Sequence, residues 1–155
     1  MAARIGLAVA LAGALLSAGC GGESRLSRSQ FVARANGICV EYEHKVTRAM
    51  AGIQPGDQSQ LARAIGRALP VIRAGNDELR GLRPPRELER RFDRWLKIGE
   101  DEVAAATQLR DALKKNDPRA MQRAFRKLRT SDADQDEVAR KGLGLARCAS
   151  SSSGG

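Results

Sequence analysis

The stretch Pro84–Leu113 reads PPRELERRFDRWLKIGEDEVAAATQLRDAL, and its reading decides the fold. Leu88, Phe92, Leu96, Gly99, Val103, Ala106, Leu109 and Leu113 recur at steps of three and four, with Trp95 beside them. Such spacing lines one face of an α-helix. Pro84-Pro85 stops whatever precedes it and presets φ for the helix start. Asn116-Asp117-Pro118 then supplies a turn, a cap and a first-turn proline for the next helix.

The same period extends outward on both sides. Phe31, Ala35, Ile38, Tyr42, Val46, Ala49 and Ile53 make an earlier stripe, opened by a capping box of Ser27 and Gln30 and ended by Pro55-Gly56. Leu61, Ile65, Ala68, Ile72, Gly75, Leu79 and Leu82 make the next, with Asp57 or Ser59 as its cap. Pro70 falls inside that second helix, opposite the carbonyl of Gly66, and predicts a kink. A fourth helix begins with Met121, Phe125 and Leu128, then turns polar and acidic across Thr130–Glu137. Asp134 and Glu137 could form a second capping box, which leaves open whether the helix breaks there before it continues through Val138 and ends near Gly142 or Gly144. Aromatics are scarce and no β-branched alternation occurs, which excludes a sheet protein. The expectation is an all-α, up-down-up-down four-helix bundle.

The amino terminus reads as an export signal. Arg4 precedes an apolar run from Ile5 to Leu16, and Leu16-Ser17-Ala18-Gly19-Cys20 closes it. The run is too short for a membrane span, which needs roughly 20 apolar residues. A cysteine directly after the small residues is the lipobox arrangement, with diacylglycerol on Cys20 and cleavage after Gly19. Ser17 stands where a leucine is usual, and ordinary secretion cut at the same place is the alternative. The expected organisation is a signal over 1–19, a tether over 20–27, the bundle over 28–148 and a disordered tail over 149–155.

Three cysteines in an exported chain leave one odd thiol. Lipidation of Cys20 removes the oddity and leaves Cys39 and Cys148 as a pair. Alternating helices bring the start of the first and the end of the fourth to the same end. Cys39 lies about 17 Å up the first helix, and the segment 143–148 reaches back about 20 Å if extended. A disulfide between Cys39 and Cys148 is therefore expected.

A lipobox, then Phe31-Val32-Ala33-Arg34-Ala35-Asn36-Gly37-Ile38-Cys39, Leu82-Arg83-Pro84-Pro85, Phe92-Asp93-Arg94-Trp95-Leu96 and Leu143-Gly144-Leu145-Ala146-Arg147-Cys148 follow one another along the chain. This combination resembles the small secreted lipoproteins of actinobacterial type over nearly the whole mature length. The resemblance implies a helical, envelope-anchored domain with one disulfide, and it brings no activity with it.

No constellation points to catalysis. Di-iron bundles use two Glu-x-x-His motifs, and the single histidine, His44, lies between Glu43 and Lys45 as a solvated helix residue. Glu100-Asp101-Glu102 are adjacent and splay around the helix axis, so they read as a solvated acidic face. Phosphate loops and zinc motifs are absent, and no serine, cysteine or lysine has a base to activate it. Neither a metal nor another cofactor is expected.

Charge is the remaining signal. The chain of 155 residues carries a formal net charge of +9. An exported protein rarely meets nucleic acid, so the expected polyanions are phospholipid headgroups and cell-wall polymers. In the proposed bundle Arg25, Arg28, Arg34, Arg83, Arg86, Arg90, Arg91, Arg140, Lys141 and Arg147 gather at the tethered end. The sequence therefore predicts a lipid-anchored binding module that docks on anionic envelope components or a protein partner. The alternative is a carrier with an apolar pocket near Phe92 and Trp95, although the alanines and glycines on the stripes leave little room for one.

Overall fold

The computed structural model describes residues 24–149. Helix α1 spans Arg28–Met50, α2 Gln58–Arg80, α3 Arg86–Lys114 and α4 Pro118–Glu137, and a π-helical segment, Val138–Leu143, continues α4. Among the described residues there is no strand. Each helix starts where its local chemistry directs. Ser27 and Gln30 exchange the two bonds of a capping box on α1. Asp57 accepts from the Gln60 N–H at 2.8 Å on α2, and Asp117 from the Ala120 N–H at 2.9 Å on α4. These bonds satisfy amide donors that a helix leaves unpaired at its first turn. Asn116, at φ 51°, makes the tight turn into α4.

The helices alternate in direction, and α1 packs on α2, α2 on α3 and α3 on α4. Helices α1 and α4 barely touch. The bundle is thus sealed along three seams and open along the fourth. Its lower end is the one at which the described chain begins. There Phe31, Ile38, Leu79, Leu88, Phe92, Trp95 and Leu96 pack with Ala139, Leu143 and Leu145 of the final segment. Phe31 meets Phe92 edge-on with centroids 5.0 Å apart, and Trp95 stacks on Phe92 at 5.9 Å. The upper end has a smaller aliphatic core of Ala62, Ile65, Leu69, Leu109, Leu113 and Ala124.

Cys39 and Cys148 are joined, with Cα atoms 5.1 Å apart across 109 positions of sequence. The bond ties α1 to the chain end. Beside it the Arg147 N–H donates to Asn36 Oδ1 at 3.0 Å.

Four local expectations change. Helix α4 does not break at Asp134; it runs to Glu137 and then widens into the π-helical turns. The looser winding keeps Ala139 and Leu143 fully buried, and Gly144 ends it at φ 75°. Phe125 is 45% exposed, and Ala124 faces the core in its place. The expected tether is shorter, because the Leu26 N–H donates to the Arg83 carbonyl at 2.9 Å and Arg25 to that of Pro84 at 3.0 Å. The tail likewise starts later, since Ala149 is buried; residues 150–155 lie outside the described residues. Helix α2 runs unbroken through Pro70, whose side chain is exposed.

Candidate functional site

Two surfaces carry the chemistry, and the first is the basic lower end. Three chain segments meet there: the start of α1, the α2–α3 connection and the end of the π-helical segment. Leu26 bonded to Arg83 joins the first two. The Arg91 side chain lies beside Gly142, its Cδ 3.6 Å from where a glycine Cβ would stand, and joins the last two. Every member of the predicted set is exposed. Not all are unengaged. Arg25 pairs with Glu89 at 2.8 Å, Arg140 approaches Asp136 at 3.8 Å and Lys141 approaches Glu137 at 3.4 Å. Arg83 also has a partner. Arg28, Arg34, Arg86, Arg90, Arg91 and Arg147 have no carboxylate partner among the described residues. Arg86, Arg90 and Arg91 sit in the first two turns of α3, where the helix dipole disfavours cations; only Glu87 and Glu89 offset them in the first turn. Cys20 and the signal over 1–19 lie outside the described residues.

The second surface is a groove; the sequence's alternative reading placed a pocket at Trp95 but not the acidic residues that line this one. It has a volume of about 350 Å³ and opens between α1 and α4, with α2 and α3 as its floor. Ile38, Tyr42 and Val46 form one wall, Asp132 and Gln135 the other, and Ile72, Gly75, Leu79, Trp95 and Glu102 the base. A more apolar lobe of about 340 Å³ continues upward past Met50, Leu69, Val103 and Leu128, sharing Val46, Ile72 and Glu102 with the first. The small residues on the stripes serve a different purpose from excluding a cavity. A Cβ on Gly75 would stand 2.8 Å from the Tyr42 ring, so Gly75 is what lets Tyr42 lie across α2. Gly99 similarly admits the Gln135 amide, at 2.9 Å from such a Cβ. The space exists because α1 and α4 do not close over it.

Glu102 is misplaced by the sequence reading. Glu100 and Asp101 are exposed and paired with Arg80 and Lys97, but Glu102 turns inward and is partly buried. Burial raises its pKa to about 7, and the nearby Asp132 and Asp136 push it in the same direction. At the rim, Lys45 sits 4.3 Å from the centroid of the Tyr42 ring, held there by Glu41 at 2.6 Å. Glu78, close to the Tyr42 hydroxyl, raises the phenol pKa. Trp95 Nε1 is buried without an acceptor. Phe92 does not line this groove; it lines a separate pocket of about 360 Å³ with Arg25, Leu82, Arg83 and Glu89, so Phe92 and Trp95 do not share one space. His44 is exposed, and among the described residues no group of three His, Cys, Asp or Glu could hold a metal ion.

Among the described residues no helix is long and apolar enough to cross a membrane. Comparison with known proteins finds no matching family model, no matching curated protein and no matching solved structure.

Proposed function

We propose that this protein is a lipid-anchored extracytoplasmic binding module of the actinobacterial secreted-lipoprotein type, acting by docking and not by catalysis. Diacylglycerol on Cys20 is its anchor, and anionic phospholipid or cell-wall polymer is what its basic end meets. One observation carries the reading: exposed arginines from three distant segments converge on the end from which the chain leaves toward Cys20. A thioether-linked diacylglycerol holds a protein at a bilayer, and basic residues close to an anionic surface add roughly 1 kcal/mol each. The lipid then decides where the protein resides and the arginines decide which way up it stands. The helix ends around Gln54–Gln58 and Lys115–Asp117 face outward, toward the wall or a protein partner.

The test separates anchor from orientation. In the native host, Cys20→Ser releases the protein from the membrane fraction and abolishes its labelling by a fatty-acid precursor. The chain from Gly21 onward, without lipid, cosediments with phosphatidylglycerol vesicles at low salt and not with phosphatidylcholine vesicles. Charge reversal at Arg86, Arg90 and Arg91 removes that binding. Vesicle binding that ignores salt, or survives the reversal, overturns the role of the basic end.

A further inference from the structure

We propose that the groove between α1 and α4 binds an amphipathic amine: an apolar body seated on α2 and α3, with a protonated nitrogen at Glu102 and Asp132. This goes beyond docking, because the groove lies along the side of the bundle and shares only Arg147 with the basic set.

Charge complementarity selects the occupant. The chain is strongly basic, yet three carboxylates, Glu43, Glu102 and Asp132, line the groove against a single guanidinium, that of Arg147. Among the described residues none of the three is in an ion pair, whereas Glu41 is matched by Lys45, Asp77 and Glu100 by Arg80, and Asp101 by Lys97; Glu87, Asp93 and Asp134 are also unmatched, but they do not line the groove. Carboxylates crowded in a partly desolvated place favour an incoming cation over one another. At the rim the chain's own ammonium, Lys45 Nζ, rests over the Tyr42 ring, a face of the kind that receives cations.

Size and lining agree. The volume falls within the range of small-molecule sites, and such sites combine apolar walls with a few convergent polar groups. The upper lobe, past Met50, Leu69 and Leu128, extends the apolar path. The amides of Asn76 and Gln135 line the same space.

The groups around Glu102 set the sign of a pH dependence. Asp132 and Asp136 face it from α4, with Arg140 on Asp136. Glu43 and Arg147 line the groove from α1 and the chain end, and α2 contributes the neutral Asn76. With its pKa raised to about 7, Glu102 is largely protonated below neutrality and charged above it. An amine therefore binds more tightly as pH rises, and its arrival displaces the Glu102 proton to solvent.

Trp95, the sole tryptophan, reports on the groove directly. Three probes, a ten-carbon amino alcohol, decanoate and decanol, are titrated into the oxidised full chain below their micelle thresholds while Trp95 fluorescence is followed. The amino alcohol is expected to saturate, and to bind more tightly at about pH 8 than at about pH 6, by up to about tenfold. Glu102→Gln, close to isosteric, is expected to erase that pH dependence while the protein stays folded at both pH values. Asp132→Asn is expected to weaken binding at both pH values. Tighter binding of decanoate, equal binding of all three probes, an unaltered profile in Glu102→Gln, or no saturable response overturns the proposal. Vesicle binding through the basic end is unaffected by any of these outcomes.

Discussion

The two ends of this bundle use the same helices and hold together differently. At the lower end α1, α2, α3 and the π-helical segment enclose Phe31, Phe92 and Trp95, and Cys39–Cys148 fastens the one seam that packing alone leaves loose. At the upper end α2, α3 and α4 share a core of leucines and alanines, and the upper half of α1 covers none of the far wall. Its stripe does not stop; Tyr42 and Val46 line the groove instead of a sealed core. Four amphipathic helices therefore do not by themselves make a closed bundle. Closure follows the bulky side chains and the covalent bond.

The disulfide gives the largest way to break that contrast. In the chain-entropy model, closing a loop of this length contributes about 4–5 kcal/mol. Cys148→Ser is expected to lower the denaturation free energy by that order. Amide exchange is expected to accelerate first in Val138–Leu143 and the first turns of α1, and last in the upper core. A uniform acceleration would show the two ends to be one cooperative unit.

Truncation probes each core in turn. Phe92→Ala removes the ring that both Phe31 and Trp95 touch, in a sealed site, and is expected to cost about 3–5 kcal/mol. Leu109→Ala opens a cavity in a core that borders the open seam and relaxes more readily, so about 2–3 kcal/mol is expected. Urea midpoints of the two variants test the order. An equal or larger loss at Leu109 would mean that the groove does not soften the upper end.

Glu102 ranks next, and its sign is fixed by its raised pKa. The folded state holds the Glu102 proton more tightly than the unfolded chain does, so stability falls as pH rises from about 4.5 to about 7. The penalty is absent below that window and full above it. Partial solvent access limits it to on the order of 2 kcal/mol. Glu102→Gln is therefore expected to stabilise the protein above neutrality and to leave it unchanged at acid pH, as read from melting temperature against pH.

These contrasts were unevenly legible in the sequence. Stripes at steps of three and four, caps at Ser27, Asp57 and Asp117, and the pairing of Cys39 with Cys148 depend on neighbours along the chain or on gross topology, and the fold follows from them. The open seam depends on how α1 tilts away from α4, which no periodicity encodes. Glu102 illustrates the consequence. Its neighbours Glu100 and Asp101 are solvated, and only the placement of α4 opposite Ala105 and Leu109 distinguishes the third acid of the run. Phe125 failed for a similar reason: a one-residue rotation of α4 puts Ala124 inward, where the close approach of α3 favours a small side chain. The basic end was legible because it needed only the order of the helices.

The smallest expected effect concerns the join between the segment before α1 and the bundle. Arg25 reaches Glu89 at 2.8 Å and the Pro84 carbonyl at 3.0 Å, with about two-fifths of each charged side chain exposed. Water and salt screen such a pair, so a double-mutant cycle of Arg25→Ala with Glu89→Ala is expected to give a coupling below about 1 kcal/mol. The disulfide, at the same end, contributes several times more to stability and yet does nothing to direct the chain toward Cys20. Arg25 does the reverse: it holds the first described residues against the α2–α3 connection, close to Arg86 and Arg90. Its loss is expected to leave the melting curve almost unmoved while increasing protease cleavage between residues 24 and 27. A coupling of several kcal/mol would instead make this contact part of the lower core.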